Sequence, residues 1–326
     1  MNEEAGTVFC LMEGPDKESC EAVHREAHGA IACAITEVEP GFYEVMMGKG
    51  QMIDHGSVKN EDGSLDLGYR YILVASVYGV TKAAHSSDFA QLQTPHWARK
   101  LISEKIVEFK GRRIQWDFDD SLIGVFNNAS EIIYCAVHIH HELMQQQSGS
   151  RSIVFRMGAG AAPLVTEKGD FFYDAIKVVH RLSVIAQPNQ ILISSLFKKL
   201  CNDDDLSKMN TAKLLNEKEE EFISSLLNFT EKNISHEDFT IDKLSNDICI
   251  SRPQLYRKIT SLTGRSPNDF IRDLRLDKAL ILLKEKSRNI AEIAFKVGFN
   301  SPSYFSKCFT EKFGCTPSDF ARTNVA

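Results

Sequence analysis

The 326-residue chain has no apolar run long enough to cross a bilayer, which takes about 20 such residues. It does not open on a basic, apolar leader either. Met1-Asn2-Glu3-Glu4 is acidic and polar, and no signal peptide is expected. Eight cysteines are scattered without one C-x-x-C pair. That spacing argues against a zinc knuckle and fits reduced thiols better than disulfides. A cytoplasmic setting is therefore expected. The glycine-rich run Met157-Gly-Ala-Gly-Ala-Ala-Pro163 lacks the Lys-Ser/Thr of a phosphate loop, so it reads as a close-packed strand end. The length predicts two or three domains. Aliphatic and aromatic residues, at 43%, are enough for ordinary cores.

The chain repeats itself near its C-terminus at an offset of fifty residues, without a gap. Ser251 matches Ser301, Leu255 matches Phe305, Arg257 matches Lys307, Ile259 matches Phe309 and Gly264 matches Gly314. Ser266-Pro267-Asn268-Asp269-Phe270 returns as Thr316-Pro317-Ser318-Asp319-Phe320. Each copy reads as helix, turn, helix. Ile241, Leu244 and Ile248 share one helical face, and Leu255, Ile259 and Leu262 share another. Ser251 occupies an N-cap position, where its hydroxyl would accept a first-turn N–H. Gly298 supplies the second turn through its freedom at positive φ. Ser301-Pro302 opens the helix that follows. Ser266-x-x-Asp269 and Thr316-x-x-Asp319 resemble capping boxes with Asp in place of Glu. A long helix through Phe270, Leu274, Leu280 and Leu283 would join the two units and fix their spacing. Two similar probes carrying cations suit a regular anionic polymer such as DNA. From Glu231 onward there are 16 Lys+Arg and 12 Asp+Glu, a net of +4. The whole chain is −6, which leaves −10 on residues 1–230. The basic excess is local to the repeat, as phosphate binding requires.

Residues 218–326 resemble the AraC/XylS-type transcription regulator domain. The resemblance rests on Ser251-Arg-x-Gln-Leu-Tyr-Arg-Lys258, on Gly264-x-Ser-Pro-x-x-Phe270-Ile-Arg272, and on Ile290-Ala-Glu-Ile-Ala294 through Val297-Gly-Phe299, Tyr304-Phe305, Phe309, Phe313-Gly314 and Pro317. One departure is Cys249, where that family usually has glycine in the first turn. The resemblance implies double-stranded DNA as partner. Arg252, Gln254, Tyr256 and Arg257 would face outward from the first recognition helix. Ser303, Ser306 and Lys307 would do so from the second, with Asn300 and Ser301 as phosphate contacts. Arg257 and Lys307 could each reach phosphate or guanine.

The middle segment, 70–200, alternates strands and helices and reads as an α/β sandwich. Strands are predicted at Tyr71–Ala75, Ser121–Phe126, Ile153–Met157 and Ile191–Ser194. Helices are predicted at Glu131–Gln147 and through Arg181. The segment is similar to the class III nucleotidyl cyclase domain in Val74-Ala-Ser76-Val-Tyr-Gly79-Val-Thr81, in Asp119-Asp120 and in Asp174 through Arg181-Leu182 to Pro188-x-Gln190-Ile191. That family holds two metal ions with two aspartates. Asp120 stands at the second of these positions, but Ser76 stands at the first. Lys177 replaces the transition-state asparagine, Arg181 matches the arginine four residues on, and Trp116 replaces the purine-selecting lysine. The resemblance thus implies a degenerate cyclase domain, without catalysis, that serves sensing or pairing. His138, His140 and His141 follow on one helix, and solvent contact explains them better than a metal does.

The first 45 residues resemble part of a ferredoxin-like, nickel-binding family. Phe9-Cys10-Leu11, Glu13-Gly-Pro-Asp16, His24-Arg25, His28-Gly29 and Glu37-Val38 carry that resemblance. A strand at 6–12, a helix at 16–27 and a strand at 35–38 are predicted. The family's first strand and helix are missing, so the half-domain is expected either to begin upstream or to complete itself against another chain. His24 and His28 are one helical turn apart and could share a nickel or other divalent transition metal, with Cys10 as a further ligand.

The expected organisation is multidomain α+β. It comprises a partial nickel-binding-like segment (1–45), a linker (46–69), a cyclase-like domain (70–200), a second linker (201–217) and an all-α double helix-turn-helix domain (218–326). A homodimeric DNA-binding regulator is expected. An active cyclase fused to a DNA reader, or a metal-handling protein that binds DNA for autoregulation, is the alternative.

Overall fold

A computed structural model of the chain describes residues 14–29, 52–54, 57–59, 69–81, 96–114, 121–146, 151–163, 173–236, 239–284, 289–313 and 315–323. Helix α1 (Lys17–His28) is capped by Asp16, whose carboxylate accepts the Ser19 N–H at 2.7 Å, and it ends at Gly29 with φ +66°. The strands expected at 6–12 and 35–38, along with Cys10, lie outside the described residues. Within the expected first linker, β1 (Met52–Asp54) and β2 (Ser57–Lys59) pair antiparallel.

A sheet domain follows. It runs β3 (Tyr69–Thr81), α2 (His96–Glu108), β4 (Arg112–Ile114), β5 (Leu122–Phe126), α3 (Ala129–Gln145), β6 (Arg151–Pro163), α4 (Tyr173–Ile185) and β7 (Gln190–Ile193). The order in the sheet is β4-β5-β3-β6-β7 with one further strand, β8 (Ala212–Leu214), at the far edge. Through β6 the neighbours are antiparallel, and the last two pairings are parallel. The run from β3 to β6 is a β-α-β-β-α-β unit.

Alternation along the strands gives the sheet two apolar faces. Leu73, Ala75, Val77, Phe155 and Met157 pack under α2 and α3. Ile72, Val74, Ile123 and Val125 pack against Ala175, Ile176 and Val179 of α4. The glycine-rich run is the second half of β6. A Cβ on Gly158 would lie 2.4 Å from the Val179 carbonyl oxygen, so glycine there lets α4 lie against the strand.

The second linker, expected at 201–217, is structured. It carries α6 (Asp203–Ser207) after α5 (Ser195–Leu200), and then β8. One of its aspartates, Asp205, has structural partners rather than water alone. Asn202 caps α6 through the Asp205 N–H at 2.7 Å, and Asp205 bonds Ser130 and Lys208. Asp205 titrates below the usual carboxylate range because of those bonds, that to Lys208 first.

The all-helical part begins with α7 (Glu217–Asn233), closed by a reciprocal capping box between Asn216 and Glu219. Then come α8 (Ile241–Asp247), α9 (Arg252–Thr263), α10 (Pro267–Lys284), α11 (Ile290–Lys296), α12 (Pro302–Phe313) and α13 (Pro317–Thr323). Helix α10 joins the two units, as its stripe predicts. Its 18 residues span about 27 Å. Among the described residues no helix is long and apolar enough to cross a membrane.

Candidate nucleic-acid interface

Each unit places one helix with its outer face in solvent. Helix α9 buries Leu255, Ile259 and Leu262 and exposes Arg252, Gln254, Tyr256 and Arg257. Helix α12 buries Phe305, Cys308, Phe309 and Phe313 and exposes Ser303, Tyr304 and Lys307. Asn300 and Ser301 are exposed just before it. Ser306 is half-buried and so projects less than its neighbours.

Tyr304 is 52% exposed, matching the 53% of Tyr256 on the other helix. The sequence places it in the family pattern but not among the outward-facing residues. Its repeat partner is Gln254, so the fifty-residue offset alone was enough to find it. Arg252 pairs with Asp242 of α8 at 2.8 Å, while Arg257 has no ion-pair partner among the described residues. Lys307 reaches Glu311 only at 3.9 Å, and both side chains are well exposed. Exposed pairs of this kind contribute little, and both cations are available to an anion.

The caps and turns set the angles of these helices. Ser301 accepts the Tyr304 N–H at 3.2 Å and caps α12. Ser251 takes the N-cap backbone conformation before α9, but its side chain makes no cap bond. That corrects the expectation for its hydroxyl, with Pro253 in the first turn already removing one donor. Ser266 and Thr316 accept the N–H of Asp269 and Asp319, each at 3.2 Å, and donate their hydroxyls to the same carboxylates. The carboxylate therefore bonds the cap hydroxyl, where a capping box would have it accept the cap N–H.

Gly298 adopts φ +91° in the second turn, as expected. In the first turn the left-handed residue is Cys249, at φ +54°. An L side chain there costs about 1–2 kcal/mol, which the surrounding helix packing must offset.

The residues at the cyclase-like positions take other roles. Ser76 is buried and its hydroxyl lies 2.8 Å from that of Ser121. Asp120 and Trp116 lie outside the described residues. Arg181 is buried against α7. Its Nε donates to Glu231 at 3.2 Å, and its Nη2 donates to Glu231 at 2.8 Å and to Asn228 at 2.6 Å. Lys177 lies 3.7 Å from the same glutamate. These two cations therefore meet the helical part of the chain.

The three histidines of α3 turn to different partners. His138 packs on Phe109 at a tilt, and His140 meets Phe155 edge to face while lying 3.2 Å from the Asn189 carbonyl oxygen. His141 faces Gln145. Burial holds His140 below the ordinary imidazole range. Helix α1 carries His24 and His28 at the expected spacing. Among the described residues no three His, Cys, Asp or Glu side chains cluster closely enough to hold a metal ion.

A family model described as a helix-turn-helix domain matches residues 244–323. These residues are a helix-turn-helix domain of the AraC type. A second family, described as nickel responsive protein SCO4226-like, matches residues 1–38. Histidine kinase P4 of Formosa agariphila is 39% identical over 102 residues, 31% of this chain and 7% of that protein. The transcriptional activator RhaS of Mannheimia succiniciproducens is 28% identical over 158 residues, 48% of this chain and 56% of that one. The chain thus spans less than two thirds of either relative. Among solved structures, an adenylate/guanylate cyclase/hydrolase from Silicibacter pomeroyi aligns over 41% of this chain and 81% of its own, with a TM-score of 0.33 and 22% identity. The helix-turn-helix domain contains both α9 and α12, the two helices that carry the exposed faces.

Proposed function

We propose that the chain is a sequence-specific, DNA-binding transcription regulator. The observation that carries this reading is the doubled helix-turn-helix unit, with Arg257 and Lys307 at matching, exposed positions of α9 and α12. In such units the second helix enters the major groove, and two probes on one face of the duplex sit about one turn, roughly 34 Å, apart. Arg257 and Lys307 suit guanine or phosphate, Gln254 an adenine edge, and Asn300 and Ser301 the backbone. Selection of bound duplexes from a random-sequence pool tests the reading. The expected product is a bipartite site whose two conserved blocks are about one helical turn apart. Retention of duplexes without sequence enrichment would refute it.

The sheet domain is read as an input or pairing domain without catalysis. Phosphoryl transfer needs carboxylates to hold its metal ions. Ser76, a neutral hydroxyl facing another hydroxyl, supplies none. Cyclic nucleotide formed from ATP or GTP with manganese would overturn this.

The match of residues 1–38 to a nickel-responsive family favours nickel as the signal. His24 and His28, one turn apart on α1, are the residues proposed to bind it, with Cys10 as a third. Calorimetric titration with nickel should show a bound ion that is lost in His24→Ala/His28→Ala. An unchanged stoichiometry in that variant removes the idea.

A further inference from the structure

The two reading units are attached to the rest of the molecule in different ways. The first shares a core with the sheet domain. Leu182, Ile185 and Leu192 of the sheet domain pack in one cluster with Leu244, Leu255 and Ile259 of the first unit, and α7 lies between them. The core of the second unit draws on α10 to α13 and, among the described residues, contains none of the sheet domain.

Polar contacts follow the same division. Arg181 of α4 grips Glu231 and Asn228 of α7, with Lys177 beside it. At the other end of α7, Glu220 accepts both the N–H and the hydroxyl of Ser195, at 2.7 and 2.6 Å. Arg265, in the turn after α9, donates to the Val184 carbonyl oxygen at 3.0 Å and pairs with Asp273 at 3.1 Å. The second unit leans instead on α10, where Lys312 bonds Asp277 and the Asp273 carbonyl oxygen.

We infer that Arg181, Asn228 and Glu231 form a clasp through which the sheet domain positions the first reading helix, α9, while α12 is reached more remotely, through α10 and through the close approach of Gly298 to the Ile234 carbonyl oxygen at the end of α7. Arg181 is the central member. Its side chain is 10% exposed and carries three charge-assisted bonds, whereas Glu231 is 46% exposed. Removing the Glu231 carboxylate therefore leaves the buried Arg181 guanidinium with Asn228 as its remaining partner in the clasp. Any shift of α4 against the sheet reaches α7 through this contact and then α9 through the shared core. Allosteric coupling needs such an element, one that a signal at one site can bias at another. The clasp gives the sheet domain a more direct lever on one half of the DNA site than on the other.

The inference rests on the DNA-reading assignment for its footprint alone. The test uses the full chain in four forms: wild type, Glu231→Gln, Glu231→Ala, and the exchanged pair Arg181→Glu/Glu231→Arg. Amide hydrogen exchange is followed by mass spectrometry. In Glu231→Ala the amides of α7 and α9 should exchange about tenfold faster, the consequence of losing a charge-assisted bond. Those of α12 should change several-fold less. Glu231→Gln, which keeps an acceptor, should fall between, and the exchanged pair should return toward wild type. Equal acceleration of α9 and α12, or none in α9, overturns the clasp. On a duplex obtained by selection, Glu231→Ala should lose protection over one block and keep the other. If the wild type selects no duplex, the DNA reading fails, and the exchange data still decide the clasp.

Discussion

Gly298→Ala should cost the second reading unit about 2–5 kcal/mol, enough to lower the unfolding midpoint in urea markedly. Two effects add. The residue sits at φ +91°, where an L side chain is strained by about 1–2 kcal/mol. Its Cβ would also stand 2.4 Å from the Ile234 carbonyl oxygen and 2.8 Å from Arg275 Nε. Those two groups are already bonded to each other at 3.1 Å, so the methyl would force them apart. Overpacking of this kind costs about 1–3 kcal/mol. Gly264→Ala provides the internal control. Its φ is +70°, but the added carbon meets only the Gln187 side chain, at 3.2 Å. A flexible side chain can give way, so that variant should lose little beyond the backbone strain. Equal midpoints for the two variants would show that the approach of α7 to the second turn does not matter.

The double variant Arg257→Ala/Lys307→Ala should weaken binding to a selected duplex by about 2–6 kcal/mol. A good base contact is worth about 1–3 kcal/mol, and the two positions are equivalent by the repeat. If either cation meets phosphate instead, the loss is nearer uniform across sequences and the slope of affinity against salt falls by about one per contact. Fluorescence anisotropy at several salt concentrations separates these cases. Both side chains are exposed, so thermal unfolding should stay where it is in the wild type. Affinity equal to wild type at every salt concentration would mean that α9 and α12 are not the reading helices.

The helical half was legible because it is written twice. Each copy checks the other, and an offset that aligns Gly264 with Gly314 and Asp269 with Asp319 leaves little freedom in the elements. The main strands were legible for a different reason. Two-sided burial makes them continuous apolar runs, as in Tyr71–Ala75. Helix α2 was missed. It buries Ala98, Leu101, Ile102 and Ile106, but Val107 on its outer side is 62% exposed and Ala98 is small, so the stripe is blurred. Residues 201–217 were misread because Asn-Asp-Asp-Asp has the composition of a linker. Whether Asp205 and Lys208 find partners or meet solvent depends also on Ser130 and Tyr134, which lie 75 and 74 positions away. The clasp was hidden for the same reason. Arg181 and Glu231 are 50 residues apart, and neither has a local feature that names its partner.

Helix α10 has a geometric consequence for how the molecule can evolve. It is a single uninterrupted rod of 18 residues between two separate cores. Adding or removing one residue along it would advance the second unit by about 1.5 Å and rotate it by about 100°. The separation of the units cannot be adjusted without changing their phase. A nearly equivalent orientation returns only after whole numbers of turns, as with a change of seven residues, about 20° short of two turns. The spacing is thus geared, and lineages that alter it must move in steps.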